Sequence, residues 1–212
     1  MRQALRDRAA RIFARQEIPP VRDLRSLQDF LDTRASHVTQ TALYGYLRTR
    51  AGARFPELFA NDEFAKAINA AKWNIWVACV SDLAVYAGGR LHAAGGTDTA
   101  RAMSLAVDGL LARTGVPAEA DGAFAGEVLV LRDRVSACEW GRVPDNEAAF
   151  STSPGALVRW APILDELKQL DEEIVRNSVR FRWQEVRQEL RRLLDAEAVM
   201  AAVRADLDKM GP

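Results

Sequence analysis

Cysteine, histidine and lysine are scarce in this 212-residue chain, and net charge is absent. Two cysteines, Cys79 and Cys138, cannot form a disulfide framework or a Cys-x-x-Cys metal or redox motif. Each sits among apolar neighbours, where a free thiol behaves as a small hydrophobe. The histidines are His37 and His92. A di-metal helical bundle needs Glu-x-x-His twice, and here Arg34 and Gly89 stand three residues upstream. No His-Glu-x-x-His motif exists either, so neither a metal nor a cofactor is expected. With 29 basic and 29 acidic residues, the whole chain exerts no pull on nucleic acid or on an anionic membrane. Neither is expected as a partner.

Long apolar runs are missing too. The longest, residues 73–87 (WNIWVACVSDLAVYA), is too short to span a bilayer and contains Asp82. Residues 1–15 lack the apolar centre of a signal peptide. A soluble, cytoplasmic protein is expected. There is no Gly-x-Ser-x-Gly nucleophile elbow and no strand to carry one. Gly88-Gly89 and Gly95-Gly96 lack the spacing of a phosphate loop. No residue is assigned a catalytic role. The 4 lysines stand against 25 arginines, a bias that GC-rich codons produce and that suggests a bacterial source.

What is present is helical periodicity, almost end to end. The pattern predicts an all-α multi-helix bundle with a long C-terminal helical arm or hairpin. Helices are expected over residues 2–16, 23–50, 61 to about 89, 98–113 and 118–140. Residues 141–153, with Pro144 and Ser151-Thr152-Ser153, read as a loop or boundary. Residues 154–212 read as the arm, packed on the 1–140 core or on a partner. Pro162 could start or kink it and Asp195 could restart it. One domain overall is expected.

Residues 39–52 read TQTALYGYLRTRAG, preceded by AARIFAR at residues 9–15. Val38, Thr39, Leu43, Tyr44, Tyr46 and Leu47 resemble the recognition helix of the tetracycline-repressor family of bacterial regulators. There, a Leu-Tyr-x-Tyr/His-Phe run ends the helix before a basic residue. The resemblance covers residues 9–50 and implies salt-sensitive duplex binding by residues 39–50. The same residues carry a rival reading. Leu24, Leu27, Leu31, Ala35, Val38, Ala42 and Tyr46 step by three or four without a break, which predicts one continuous helix. Residues 43–87 also look like uncharacterised proteobacterial helical proteins loosely labelled esterase.

Two groups of residues are candidates for function. Asp82, on a very apolar helix, shares a face with Tyr86 and needs a partner if buried. Arg48 or Arg50 is the expected cation, and His37, Tyr44, Arg48, Asp82 and Tyr86 define a candidate polar pocket between the helices over 23–50 and 61–89, the alternative being a small-molecule-binding helical protein or enzyme. The second group is basic. Residues 165–173 carry a net charge of −4 and residues 176–192 a net of +4. This suits either a helix dipole or antiparallel self-association. Arg8, Arg11 and Arg15, with Arg180, Trp183, Arg187, Arg191 and Arg192, form the candidate interface. Trp183 reads either as an exposed anchor or as a core residue. The favoured function is a helical interaction or scaffold protein with a protein partner or a second copy. Reversing Arg187, Arg191 and Arg192 would then disrupt assembly.

Overall fold

The computed structural model describes residues 19–210, with side chains to Leu207. The expected helix over 2–16, with Arg8, Arg11 and Arg15, lies outside them. The fold is the all-α bundle that periodicity predicts.

Helix α1 spans Leu24–Ala51. Asp23 caps it in a reciprocal box with Ser26, whose backbone N–H donates to the Asp23 carboxylate at 2.7 Å. Its buried stripe, Leu27, Leu31, Ala35, Val38, Ala42 and Tyr46, is the uninterrupted series read from sequence. The helix stops at Gly52, whose φ of 55° lies in the left-handed region that glycine tolerates. A one-turn helix, α2 (Phe55–Leu58), leads to α3.

Helix α3, Asp62–Ala93, is the axis of the bundle. Asn61 caps its start by accepting from the Phe64 N–H. Every residue from Asn74 to Gly89 is buried, on all sides of the helix, so its apolar run is a core element surrounded by neighbours. Helices α4 (Thr99–Thr114), α5 (Phe124–Ser136), α6 (Ser153–Trp160), α7 (Asp165–Leu193) and α8 (Ala196–Met210) pack around it and α1.

Two expectations need correction. Helix α5 is shorter than residues 118–140 at both ends. Asp121 accepts from the Ala123 N–H in the turn before it. After Ser136 the chain breaks into 3-10 turns that lay the Trp140 ring against Gly88. Next, residues 141–153 are a packed connection, with Ala149, Phe150 and Ser153 buried. The C-terminal region packs on the chain's own core as the helices α6, α7 and α8. The Pro162 region separates α6 from α7, and Asp195 caps α8 by accepting from the Ala198 N–H. Val21 pairs with Leu194 between α7 and α8 and ties the start of the described chain to that corner. Val199, Met200 and Val203 seat α8 in the core.

Gly88 and Gly89 sit inside α3, about a turn before its end, where glycine costs about 1 kcal/mol relative to alanine. A Cβ on Gly88 would stand 2.2 Å from the Trp140 ring, and one on Gly89 2.7 Å from Val143. Close approach outweighs helix propensity here. Gly88→Ala is expected to lose about 1–3 kcal/mol of unfolding free energy. Urea denaturation followed by circular dichroism measures it, and a gain in stability would refute the packing account.

Candidate functional site

The most polar point of the core is Asp82, fully buried on α3. Its carboxylate accepts from the Ser153 N–H at 2.7 Å and from the Thr152 N–H at 3.1 Å. These are free donors at the N-terminus of α6, which carries no side-chain cap of its own. Asp82 therefore caps α6 from another helix and complements its dipole. Arg134 on α5 donates to Asp82 at 2.7 Å and also reaches the Ser81 and Thr152 hydroxyls and the Ala149 carbonyl. On the far side, the Trp183 indole N–H donates to the Ser153 hydroxyl at 2.9 Å, and the Trp183 ring stacks on Phe150 with centroids 4.6 Å apart.

A second network lies nearer the surface. The Tyr86 hydroxyl donates to Asp145 at 2.8 Å. Arg90 donates to the other Asp145 oxygen at 2.9 Å. Arg191 donates to the Tyr86 hydroxyl at 3.0 Å and to both the carboxylate and the backbone carbonyl of Asp145 at 2.8 Å. Burial and the Asp145 carboxylate push the Tyr86 phenol up. Burial alone would raise the Asp145 carboxyl, but Arg191, Tyr86 and Arg90 outweigh it and hold the group below its ordinary value.

The five residues of the expected polar pocket do not converge. Asp82 finds Arg134 instead of Arg48 or Arg50, and Tyr86 finds Asp145 and Arg191 instead of Asp82. Arg50 pairs with Asp171 on α7, beside Tyr46, whose phenol is pushed up to about 12 by burial and by that carboxylate. Arg48 lies over the Phe55 ring, and Tyr44 faces Phe59. His37 is exposed and borders a shallow groove of about 350 Å³ with Thr41, Phe181 and Glu185. Gly45, between the two tyrosines, admits the Arg182 side chain of α7.

The basic candidates divide as well. Trp183 is fully buried, so it is a core residue and no surface anchor. Arg187 pairs with Glu147, and Arg191 serves the Asp145 network. Their reversal would break contacts within the chain, so it does not report on assembly. Arg180 and Arg192 remain exposed.

Sequence reasoning passed over a different feature of α7. Leu170, Ile174 and Phe181 are 77%, 73% and 75% exposed. At 100° per residue they fall within about 40° of one another, opposite the buried stripe of Val175, Val179, Trp183, Val186 and Leu190. The signal for their true face was the separate phase of the Val179-Trp183-Val186-Leu190 series.

Other chemistry finds little support. Burial pushes the Cys79 thiol up to about 12, which makes it a poor nucleophile at neutral pH. Among the described residues, no cluster of three His, Cys, Asp or Glu could hold a metal ion. No helix among them is long and apolar enough to cross a membrane. Residues 24–51 form one helix, with no turn at His37, and Thr39, Leu43, Tyr46 and Leu47 are buried within it. The site and fold together define a helical bundle whose polar core is structural and whose α7 carries an apolar outer face. The chain matches no protein-family model, no curated protein and no solved structure.

Two predictions test these networks. Asp82→Asn removes the carboxylate that balances the Arg134 charge and puts an amide against α6 N–H groups, so unfolding free energy is expected to fall by about 3 kcal/mol. A change under about 1 kcal/mol in urea titration would show that Asp82 is not the cap of α6. For Asp145, the lowered folded value means its contribution is fully present above the unfolded carboxyl value of about 3.9. It is lost as pH falls through the lower folded value. The difference between the wild type and Asp145→Asn is expected to reach at most about 1 kcal/mol at neutral pH, since half of the side chain is exposed, and to shrink below about pH 4. Paired urea titrations at neutral and acid pH measure it, and a difference that grows with acid would reverse the assignment.

Proposed function

We propose that this protein is a helical interaction or scaffold module that works through the outward face of α7 rather than through a catalytic pocket. The observation that carries this reading is the apolar line Leu170, Ile174 and Phe181. A soluble monomer rarely leaves three large side chains aligned and three-quarters exposed on one helix, and aligned apolar patches mark contact sites. Packing of α7 cannot explain them, because its core side is already filled by Val175, Val179, Trp183, Val186 and Leu190.

The setting proposed is the cytoplasm of a bacterium, as a soluble protein. The two cysteines are unpaired, which suits a reducing compartment. A tetracycline-repressor-like role gains no support from α1. Its tyrosine-bearing segment lies in one unbroken helix with much of its apolar side turned into the core.

Site-specific photo-crosslinking in the native host tests the reading. A photoreactive residue at Ile174 or Phe181 is expected to give a discrete protein adduct. The same residue at exposed Arg101 on α4 is expected to give none. Absence of any intermolecular adduct at both α7 positions would overturn the interaction reading.

A further inference from the structure

Resting on that reading, we infer that the partner of the α7 face is a second copy of the same chain, bound antiparallel across a two-fold axis. The face carries its own register. Leu170, Ile174, Asn177, Phe181, Gln184 and Gln188 recur at alternating steps of four and three, the spacing of a coiled-coil seam. Every member is apolar or an uncharged amide, so closing the seam buries no charge. The helix is straight-through from Asp165 to Leu193, about 43 Å at 1.5 Å per residue, with no glycine or proline to bend it.

The orientation follows from residues flanking the seam. On one flank stand Glu166 and Glu173, then Arg180 and Arg187. A parallel pair would set the acidic half of α7 beside the acidic half of its neighbour. An antiparallel pair sets Glu173 beside Arg180 of the partner subunit, and by symmetry does so twice. In the same register Leu170 meets Phe181 of the partner subunit, and Ile174 meets Asn177 of the partner subunit. Within the chain Glu173 makes no ion pair among the described residues, and Arg180 is held only by Asn177 three residues away. Both are therefore free to pair across the axis. Arg187 is drawn toward Glu147 and 14% exposed, so the charge match rests on Glu173 and Arg180. The groove beside the seam, where His37 and Thr41 of α1 face Phe181, gives the second helix a wall to lie against.

The competing occupant is residues 1–18, which carry Arg2, Arg6, Arg8, Arg11 and Arg15. Against these five stand only Asp7 and Glu17, a net charge of +3. A second copy instead matches the acidic and basic parts of the flank one to one, which favours it.

The test is sedimentation equilibrium on the full chain and four exposed-face variants, with circular dichroism to confirm helicity. The wild type is expected to be a dimer and Ile174→Glu a monomer. Glu173→Arg and Arg180→Glu alone each place like charges together twice and are expected to weaken the dimer about tenfold. Combined, they exchange the two charges and are expected to return affinity to within about threefold of wild type. A monomeric wild type, or single reversals that the double variant does not rescue, would overturn the antiparallel pairing. The Ile174 photo-adduct separates this failure from that of the broader reading. An adduct with a different protein keeps the interaction module and removes the second copy. An adduct with residues 1–18 of the same chain removes both.

Discussion

One buried carboxylate holds the bundle in its arrangement. Asp82 projects from α3, which is buried on all sides over residues 74–89, and its two oxygens satisfy the open end of α6, the guanidinium from α5 and, through Ser153, the indole of α7. Such a charge is costly to bury, and it is retained only where its partners are complete. The surrounding geometry meets that demand. The 149–153 connection turns inward, Ser153 opens α6 at the carboxylate, and Phe150 is brought onto Trp183. A hydrophobic residue at position 82 could fill the volume, but it would leave the first N–H groups of α6 with no acceptor.

The position of α7 follows from this. Its inner side is fixed by Trp183 against Phe150 and Ser153, by Arg191 on the Asp145 network and, near its start, by the Arg50–Asp171 pair. None of these anchors involves the side that carries Leu170, Ile174 and Phe181. The helix is thus rigidly held while one face stays unused. Rigid presentation lowers the ordering cost of a contact, so an apolar line on α7 is worth more as a binding surface than the same residues on a loop.

Much of the fold was legible because its signal is local. The unbroken three-four stepping from Leu24 to Tyr46 gave α1 as one helix, and the apolar run around Asp82 marked a core element. Asp82 needed a partner, and sequence could say so. It could not say which, since Arg134 lies 52 residues away and the Thr152 backbone 70. Helices α1 and α3 meet closely, which made Arg48 and Arg50 reasonable candidates, yet Asp82 is taken up by α5 and the start of α6. The 141–153 segment misled through composition. Its polar residues look like a linker, and the two groups that matter there, the Thr152 and Ser153 N–H, belong to the backbone and leave no mark on residue type. The outer face of α7 was obscured because one helix carries two apolar phases, and the line of Leu170, Ile174 and Phe181 is the weaker beside the buried stripe.

Arginine-rich composition is a poor guide to surface charge in this protein. Arg134 serves a carboxylate, two hydroxyls and a carbonyl at once, which a guanidinium with five donors can do and a lysine cannot. Arg191 binds a carboxylate, a backbone carbonyl and a phenol. The net charge of +4 over residues 176–192 therefore overstates what a partner would meet, because Arg176, Arg187 and Arg191 are already paired with Glu172, Glu147 and Asp145. The same subtraction applies to the acidic half, where Asp171 belongs to Arg50 and Glu172 to Arg176. What survives on the α7 seam is small and ordered: an acidic flank at Glu166 and Glu173, a basic one at Arg180, and an apolar line between. The raw sequence carries an acidic half and a basic half of α7. The residues able to act on that polarity are the few that the chain's own ion pairs leave unused.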